Sequence, residues 1–178
     1  GKSKLEAVKT VKTLSTIKVM GMEIEAITLE MAPNKSKAVQ KIMGQEMVQV
    51  FDGEKGYMMQ AGQRMDLPAP AIEEAKKKRL FEVLSYNPAD FKTVEKVTEE
   101  GKELYLLAGA GKKLYFDTKT NLLVKSTSDK GDMVILDYME VDGIKFPKNL
   151  KLAMMGQNME VTNNQVIVNK EVSAEDFK

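Results

Sequence analysis

The chain has 178 residues, 27 basic and 26 acidic side chains, a formal net charge of +1 and 43% hydrophobic content. That is the length and composition of one soluble-type domain (1–178), able to bury ~70% of the surface it exposes unfolded, and it lacks the concentrated basic face that nucleic-acid binding needs. There is no histidine and no cysteine, which removes imidazole acid–base chemistry, thiol nucleophiles, disulfides and Cys-ligated zinc.

No nucleic-acid partner, catalytic residue, metal or cofactor is therefore expected; a catalyst made from this chain would have to use Asp, Glu, Lys, Tyr or Ser without an imidazole, as carboxylate-based glycosidases do. No apolar run approaches the ~20 residues that span a bilayer as a helix. The chain begins Gly1-Lys2-Ser3, so the expectation is an excised domain whose address label has been lost. Thirteen methionines, with no tryptophan and only five Tyr and six Phe, are the unusual inventory. Methionine is unbranched and polarizable, so it fills irregular cores and also suits surfaces that adapt to varied apolar partners; both readings stay open.

In chain order, Lys4–Lys9 reads as the tail of a short helix with Leu5 and Val8 on one face. From Val11 the pattern becomes strand-like. Met22–Ala26 alternates polar with apolar, and Ile27–Met31 alternates in the opposite phase, which predicts a β-bulge between Ala26 and Ile27 and hence a sharply bent sheet. Gly44-Gln45 and Gly156-Gln157 read as two-residue type II′ hairpin loops, their flanks echoing each other as MGQEM (43–47) and MGQNM (155–159). Further turns are expected at Asp52-Gly53, Gly101, Gly109–Gly111, Thr118–Asn121, Lys130–Asp132 and Asp142-Gly143, a spacing that predicts an antiparallel meander.

One segment breaks this rhythm. Pro68–Leu84 places Ile72, Ala75, Leu80, Val83 and Leu84 along one face, with Glu73–Lys77 and Glu74–Lys78 as favourable i,i+4 pairs, and predicts a single amphipathic helix of about four turns. Asn87-Pro88 stops it, and its apolar stripe is expected to pack on the concave side of the sheet. Lys76–Arg79 then reads as a solvated helix face.

Sites for chemistry are few. Asp117–Asn121 (DTKTN) has oxygen ligands at alternate positions, but it lacks the glycine and distal glutamate of a calcium loop and reads as a turn. Asp137 is expected on the apolar face of a strand with Met133, Ile135 and Met139, as an ion pair or rim residue. Arg64 and Arg79, the only arginines, are candidates for gripping an anionic head group. Asn34-Lys35-Ser36 fits a glycosylation acceptor of low specificity.

Five stretches recur together, in this order, in one group of proteins: KLEAVKTVKTLSTIKVMG (4–21), VFDGEKGYMM (50–59), YFDTKTNLLVKS (115–126), DYMEVDGIKFPKNLKL (137–152) and MEVTNNQVIVNKEVSAEDF (159–177). Together they resemble the LolA-like outer-membrane lipoprotein-sorting superfamily, over nearly the whole chain. The resemblance implies a mainly β (α+β) fold: a strongly curved, incompletely closed antiparallel barrel with a helix covering the concave face. It also implies a non-enzymatic domain that binds acyl chains of a lipid or acylated lipoprotein, located in the periplasm or at the outer membrane. The nearest flavour is the Bacteroidetes type, in which similar segments follow a pitrilysin/insulinase-like zinc peptidase as a C-terminal accessory domain. Without histidine this chain lacks that peptidase's HxxEH zinc site, so the alternative function is a non-catalytic accessory domain associated with a peptidase or outer-membrane component.

The carrier reading predicts an apolar cavity of ~300 Å³ or more between helix Pro68–Leu84 and the sheet. Its candidate lining is Met20, Ile24, Met31, Met47, Met58, Leu80, Leu84, Leu106, Met133, Met139 and Met154.

Overall fold

The turns set the architecture. At Met20-Gly21, Met43-Gly44, Ala61-Gly62, Glu100-Gly101 and Asp142-Gly143 the chain reverses through two residues that both have positive φ. This is the type I′ combination, whose twist matches that of the strands it joins. The second position is glycine each time because φ near +75° carries a steric cost for any residue with a Cβ. The expectation at Gly44-Gln45 is corrected accordingly: glycine is the second loop residue, Gln45 already belongs to the next strand, and the loop is I′ rather than II′.

In the computed structural model, residues 1–109, 111–154 and 156–178 are described; Ala110 and Met155, within the turn expected at Gly109–Gly111 and the MGQNM echo, lie outside them. The strands are β1 (Thr10–Val19), β2 (Met22–Met31), β3 (Lys35–Ile42), β4 (Gln45–Phe51), β5 (Gly56–Gln60), β6 (Gln63–Asp66), β7 (Thr93–Glu99), β8 (Lys102–Gly109), β9 (Lys112–Asp117), β10 (Leu123–Ser128), β11 (Gly131–Val141), β12 (Ile144–Met154) and β13 (Gln157–Val168). They form one sheet in the order β6-β5-β4-β3-β2-β1-β13-β12-β11-β10-β9-β8-β7, with neighbouring strands antiparallel. The first and last strands meet in the middle, and the sheet curves without closing, leaving β6 and β7 as its free edges.

Helical structure is slight. Helix α1 (Lys2–Glu6) sends Leu5, and the turn after it Val8, onto the base of one sheet face, where Val8, Val11, Ile144, Phe146, Val166 and Val168 form a buried cluster. Burial of each such side chain contributes roughly 1.5–3 kcal/mol. Helix α2 (Ala69–Lys77) is nine residues long and buries none of them. The expected four-turn helix over Pro68–Leu84 is therefore corrected: the chain turns extended at Lys78. A continued helix would carry Leu80 and Phe81 past the sheet, whereas the extended chain inserts both against the base cluster. Short 3₁₀ turns follow at Glu82–Ser85 and Pro88–Asp90. Helix α2 itself bridges the two halves of the sheet, with the Lys76 carbonyl accepting from Asn34 Nδ2 in the β2–β3 turn and Glu74 pairing with Lys130 in the β10–β11 turn.

No bulge lies between Ala26 and Ile27. Strand β2 keeps unbroken register with both β1 and β3. The change of phase has another cause: Ile24 and Ala26 are buried on the helix-bearing face, while Leu29 is buried on the opposite face against Val50 and Phe177 from the C-terminal 3₁₀ turn Ala174–Phe177. The register breaks fall instead between Leu14 and Ser15 opposite β13, at Leu123/Lys125, and around Leu136 between β11 and β12. Bulges bend a strand and raise its twist, so curvature arises near the middle of the sheet and towards β10. At the β7 end the sheet folds over a small third core of Leu104, Leu106 and Tyr115 on the opposite face, where Lys125 Nζ reaches Glu99 of the non-adjacent strand β7 at 2.8 Å.

Candidate functional site

Antiparallel partners share a sheet face, so the pairing registers place each side chain. One row on the helix-bearing face runs Met22–Val19–Met159–Leu152–Met133–Ser126–Leu114–Leu107–Val94. It crosses nine strands from β2 to β7, which at the ~4.8 Å spacing of strands is a band of ~38 Å interrupted by a single small polar residue, Ser126. The next row, two residues nearer the base, runs Ile24–Ile17–Val161–Leu150–Ile135 and is wholly apolar. Below it the face turns polar: Ser15 Oγ donates to Asn163 Oδ1 at 2.7 Å, and Asn163 Nδ2 donates to the Pro147 carbonyl at 2.7 Å. The covered base cluster follows beneath this belt.

The two apolar rows are covered unevenly. Ile24, Ile135 and Leu114 are buried, whereas Val19, Leu150, Leu152, Met133 and Met159 are half-buried and Met22 is exposed. The 3₁₀ turn Glu82–Ser85 closes the Leu114 end. Glu82 pairs with Lys112 at 3.1 Å, and the Lys112 ammonium lies 4.4 Å from the centre of the Tyr86 ring. Burial and the neighbouring Glu82 push the Tyr86 hydroxyl far above its ordinary range, so it stays neutral. Between this turn and the band lies an open cleft of about 260 Å³, with Leu114, Met133, Leu152 and Met154 on its floor and Glu82, Lys112 and Lys130 at its rim. The cleft expected under helix Pro68–Leu84 thus lies under the segment that follows α2 and is smaller than expected, because that segment packs down through Leu80 and Phe81. A larger cleft, about 520 Å³, lies at the β4–β6 edge.

The candidate lining residues distribute as follows. Ile24, Met47, Met58, Met133 and Met139 all face the helix-bearing side by register, Met139 and Leu80 against the base cluster. Met133 and Met154 are brought together in the cleft. Leu84 is half-buried in the 3₁₀ turn above. Met31 and Leu106 point to the opposite face, into the clusters around Val50 and Tyr115. Met20 is 76% exposed at the β1–β2 loop. Sequence reasoning missed Val19, Leu114, Leu152 and Met159; alternation marks Leu150/Leu152 and Met159/Val161 as strand pairs, but only the pairing register puts them in one row.

The two carboxylates weighed for other chemistry, Asp117 and Asp137, are occupied structurally. Asp117 Oδ1 accepts from the amides of Lys119 and Thr120 at 3.0 and 2.7 Å, and these bonds hold its carboxyl below the usual range; the segment is a turn, as expected. Asp137 leaves the apolar face, a correction to its expected placement. The extra residue Leu136 shifts the register, so Asp137 pairs with Asn149 and accepts its amide at 2.9 Å. Among the described residues no cluster of acidic side chains could hold a metal ion, and no helix is long and apolar enough to cross a membrane.

One carboxylate stands out on the helix-bearing face. Glu30 is opposite Val11 in register, and burial raises its pKa while the Lys78 ammonium, at the point where α2 ends, partly offsets this.

No family model and no curated protein matches the chain. Among solved structures, an outer membrane lipoprotein-sorting protein domain from Vibrio parahaemolyticus superposes with a TM-score of 0.65 at 10% identity, covering 99% of this chain and 92% of that one. A DUF1329 family protein from Desulfovibrio piger superposes with a TM-score of 0.61 at 9% identity, with the same coverage. At these identities the likeness is one of fold: a curved, open antiparallel sheet shared over essentially the full length.

Proposed function

We propose that the helix-bearing face binds acyl chains of a lipid or acylated lipoprotein in the bacterial envelope, without catalysis. The observation that carries this reading is the continuous band Met22–Val19–Met159–Leu152–Met133, left half-covered on a face whose base is sealed by α1, Leu80 and Phe81. An apolar surface of this extent is normally buried unless something occupies it. Methionine suits an occupant of variable shape, because its three rotatable bonds let the wall follow the chain. The Ser15–Asn163 belt, satisfied within itself, bounds the apolar region on the base side. The fold shared with a lipoprotein-sorting domain supports the same reading.

Segment 78–92 closes the Leu114 end of the band through Glu82 and Tyr86 on Lys112, and the open cleft beside it is where an acyl chain would enter. Titration with the fluorescent probe 11-dansylundecanoic acid tests the proposal. Uptake is expected as a blue shift with saturable binding, weakened at least tenfold by Met159→Glu, which places a charge in the middle of the band. Absence of saturable uptake would favour the accessory-domain alternative, in which this face meets a neighbouring protein.

A further inference from the structure

A cleft larger than the one over the band lies away from it, against the face opposite α1. Its walls are the β4–β6 edge, the start of α2 and the C-terminal 3₁₀ turn, and it holds about 520 Å³. Volumes of this order accept small ligands. The floor is apolar: Val50 and Phe177 are almost completely buried and Leu67 and Ile72 half-buried. Gly56 is obligatory here, because a Cβ would meet Leu67 Cδ1 at 2.6 Å and the Val50 carbonyl at 2.8 Å.

The polar groups converge on one side. The Arg64 guanidinium lies 3.9 Å from the centre of the Tyr57 ring, and the Tyr57 hydroxyl donates to the Lys178 carbonyl at 3.2 Å, which fixes the ring. Among the described residues the Arg64 guanidinium makes no hydrogen bond and has a single ion-pair contact, from Nε to Asp66 at 3.5 Å. Its terminal nitrogens remain available. Lys55 has no ion-pair partner among the described residues. Asp52 is already engaged, accepting the amides of Glu54 and Lys55 at 2.8 and 2.7 Å. An apolar floor beside one stacked, donor-rich guanidinium and one ammonium is complementary to an amphiphile with a single negative charge. A planar carboxylate matches the guanidinium fork, and the nearby Asp52 and Asp66 carboxylates repel a dianionic phosphate more strongly than a single negative charge.

We infer that this cleft is a second ligand site, taking a single-chain carboxylate with its head on Arg64 and Lys55 and its tail over Leu67, Ile72 and Phe177. It is independent of the acyl band, since no residue of that band lines it. Octanoate titrated into isotope-labelled protein, followed by amide chemical shifts, tests it. The inference expects saturable shifts at Tyr57, Arg64, Leu67 and Lys178, at least fivefold weaker binding in Arg64→Gln and again in Lys55→Gln, and no such shifts with the uncharged octyl glucoside. Shifts confined to Leu152 and Met159, unaltered binding in both variants, equal binding of octyl glucoside, or no binding of octanoate would each overturn it. Failure at this cleft leaves dansylundecanoate uptake on the other face to be judged by Met159→Glu.

Discussion

Phe81 lies against Phe146, with ring centroids 5.8 Å apart and planes tilted by 47°. This contact pins the segment after α2 to the base of the sheet and explains why the helix ends where it does. Phe81 is half-buried, so Phe81→Ala should cost about 2 kcal/mol, below the 3–5 typical of a fully buried phenylalanine. The loss is read as a lowered urea midpoint. The loosened segment should also be cut faster by trypsin at Lys76–Arg79; an unchanged cleavage rate would show that Phe81 does not anchor it.

The C-terminal turn seals the other face through Phe177, which is 2% exposed among Leu29, Val50 and Tyr57. The capping box of Ser173 and Asp176 holds that turn in place. Phe177→Ala should therefore destabilise by about 3–4 kcal/mol, and Ser173→Ala by about 1 kcal/mol, both measured by denaturant unfolding. A Phe177 variant with wild-type stability would mean that the C-terminal turn is not docked.

Glu30 makes stability depend on pH. Its pKa is raised in the fold from an ordinary 4.5, chiefly by burial, so the folded protein holds this proton more tightly than the unfolded chain. The stabilising contribution of the protonated form is fully present below pH 4.5 and is lost as pH rises through the folded value. Glu30→Gln removes that loss. The variant should be more stable than wild type at pH 7, with the difference vanishing below about pH 4, as read from urea midpoints across pH. A Gln variant less stable at neutral pH would show that the Lys78 charge, not burial, governs the site.

Much of the sheet was legible because a two-residue hairpin is a local code. Gly101 and Asp142-Gly143 stand at turns as expected, and alternation between turns marks strands; at Met43-Gly44 the loop lies one residue earlier than expected, and Met20-Gly21 is a hairpin loop beyond the expected set. Features decided by distant parts of the chain were not. The phase change in β2 looked like a bulge because nothing near Ile27 reveals that Phe177, some 150 residues on, covers Leu29 from the other side. Local propensity extends helix α2 through Lys78, and only the contact of Phe81 with Phe146 argues against it. The same limit applied to the site. Methionine content pointed to an adaptable apolar surface, but assigning Met133 and Met159 to one row, and Leu106 to the other face, requires pairings across strands far apart in sequence. Asp137 illustrates it in miniature: one extra residue, Leu136, moved a carboxylate off the face that alternation had given it.

The most direct test of the central claim is native mass spectrometry of the protein with a synthetic diacylated peptide and its non-acylated counterpart. Binding by the apolar band predicts a one-to-one complex with the acylated peptide alone, lost in Met159→Glu while that variant keeps its fold. No complex, or equal binding of the non-acylated peptide, would contradict the account and leave the band as a surface for a protein neighbour.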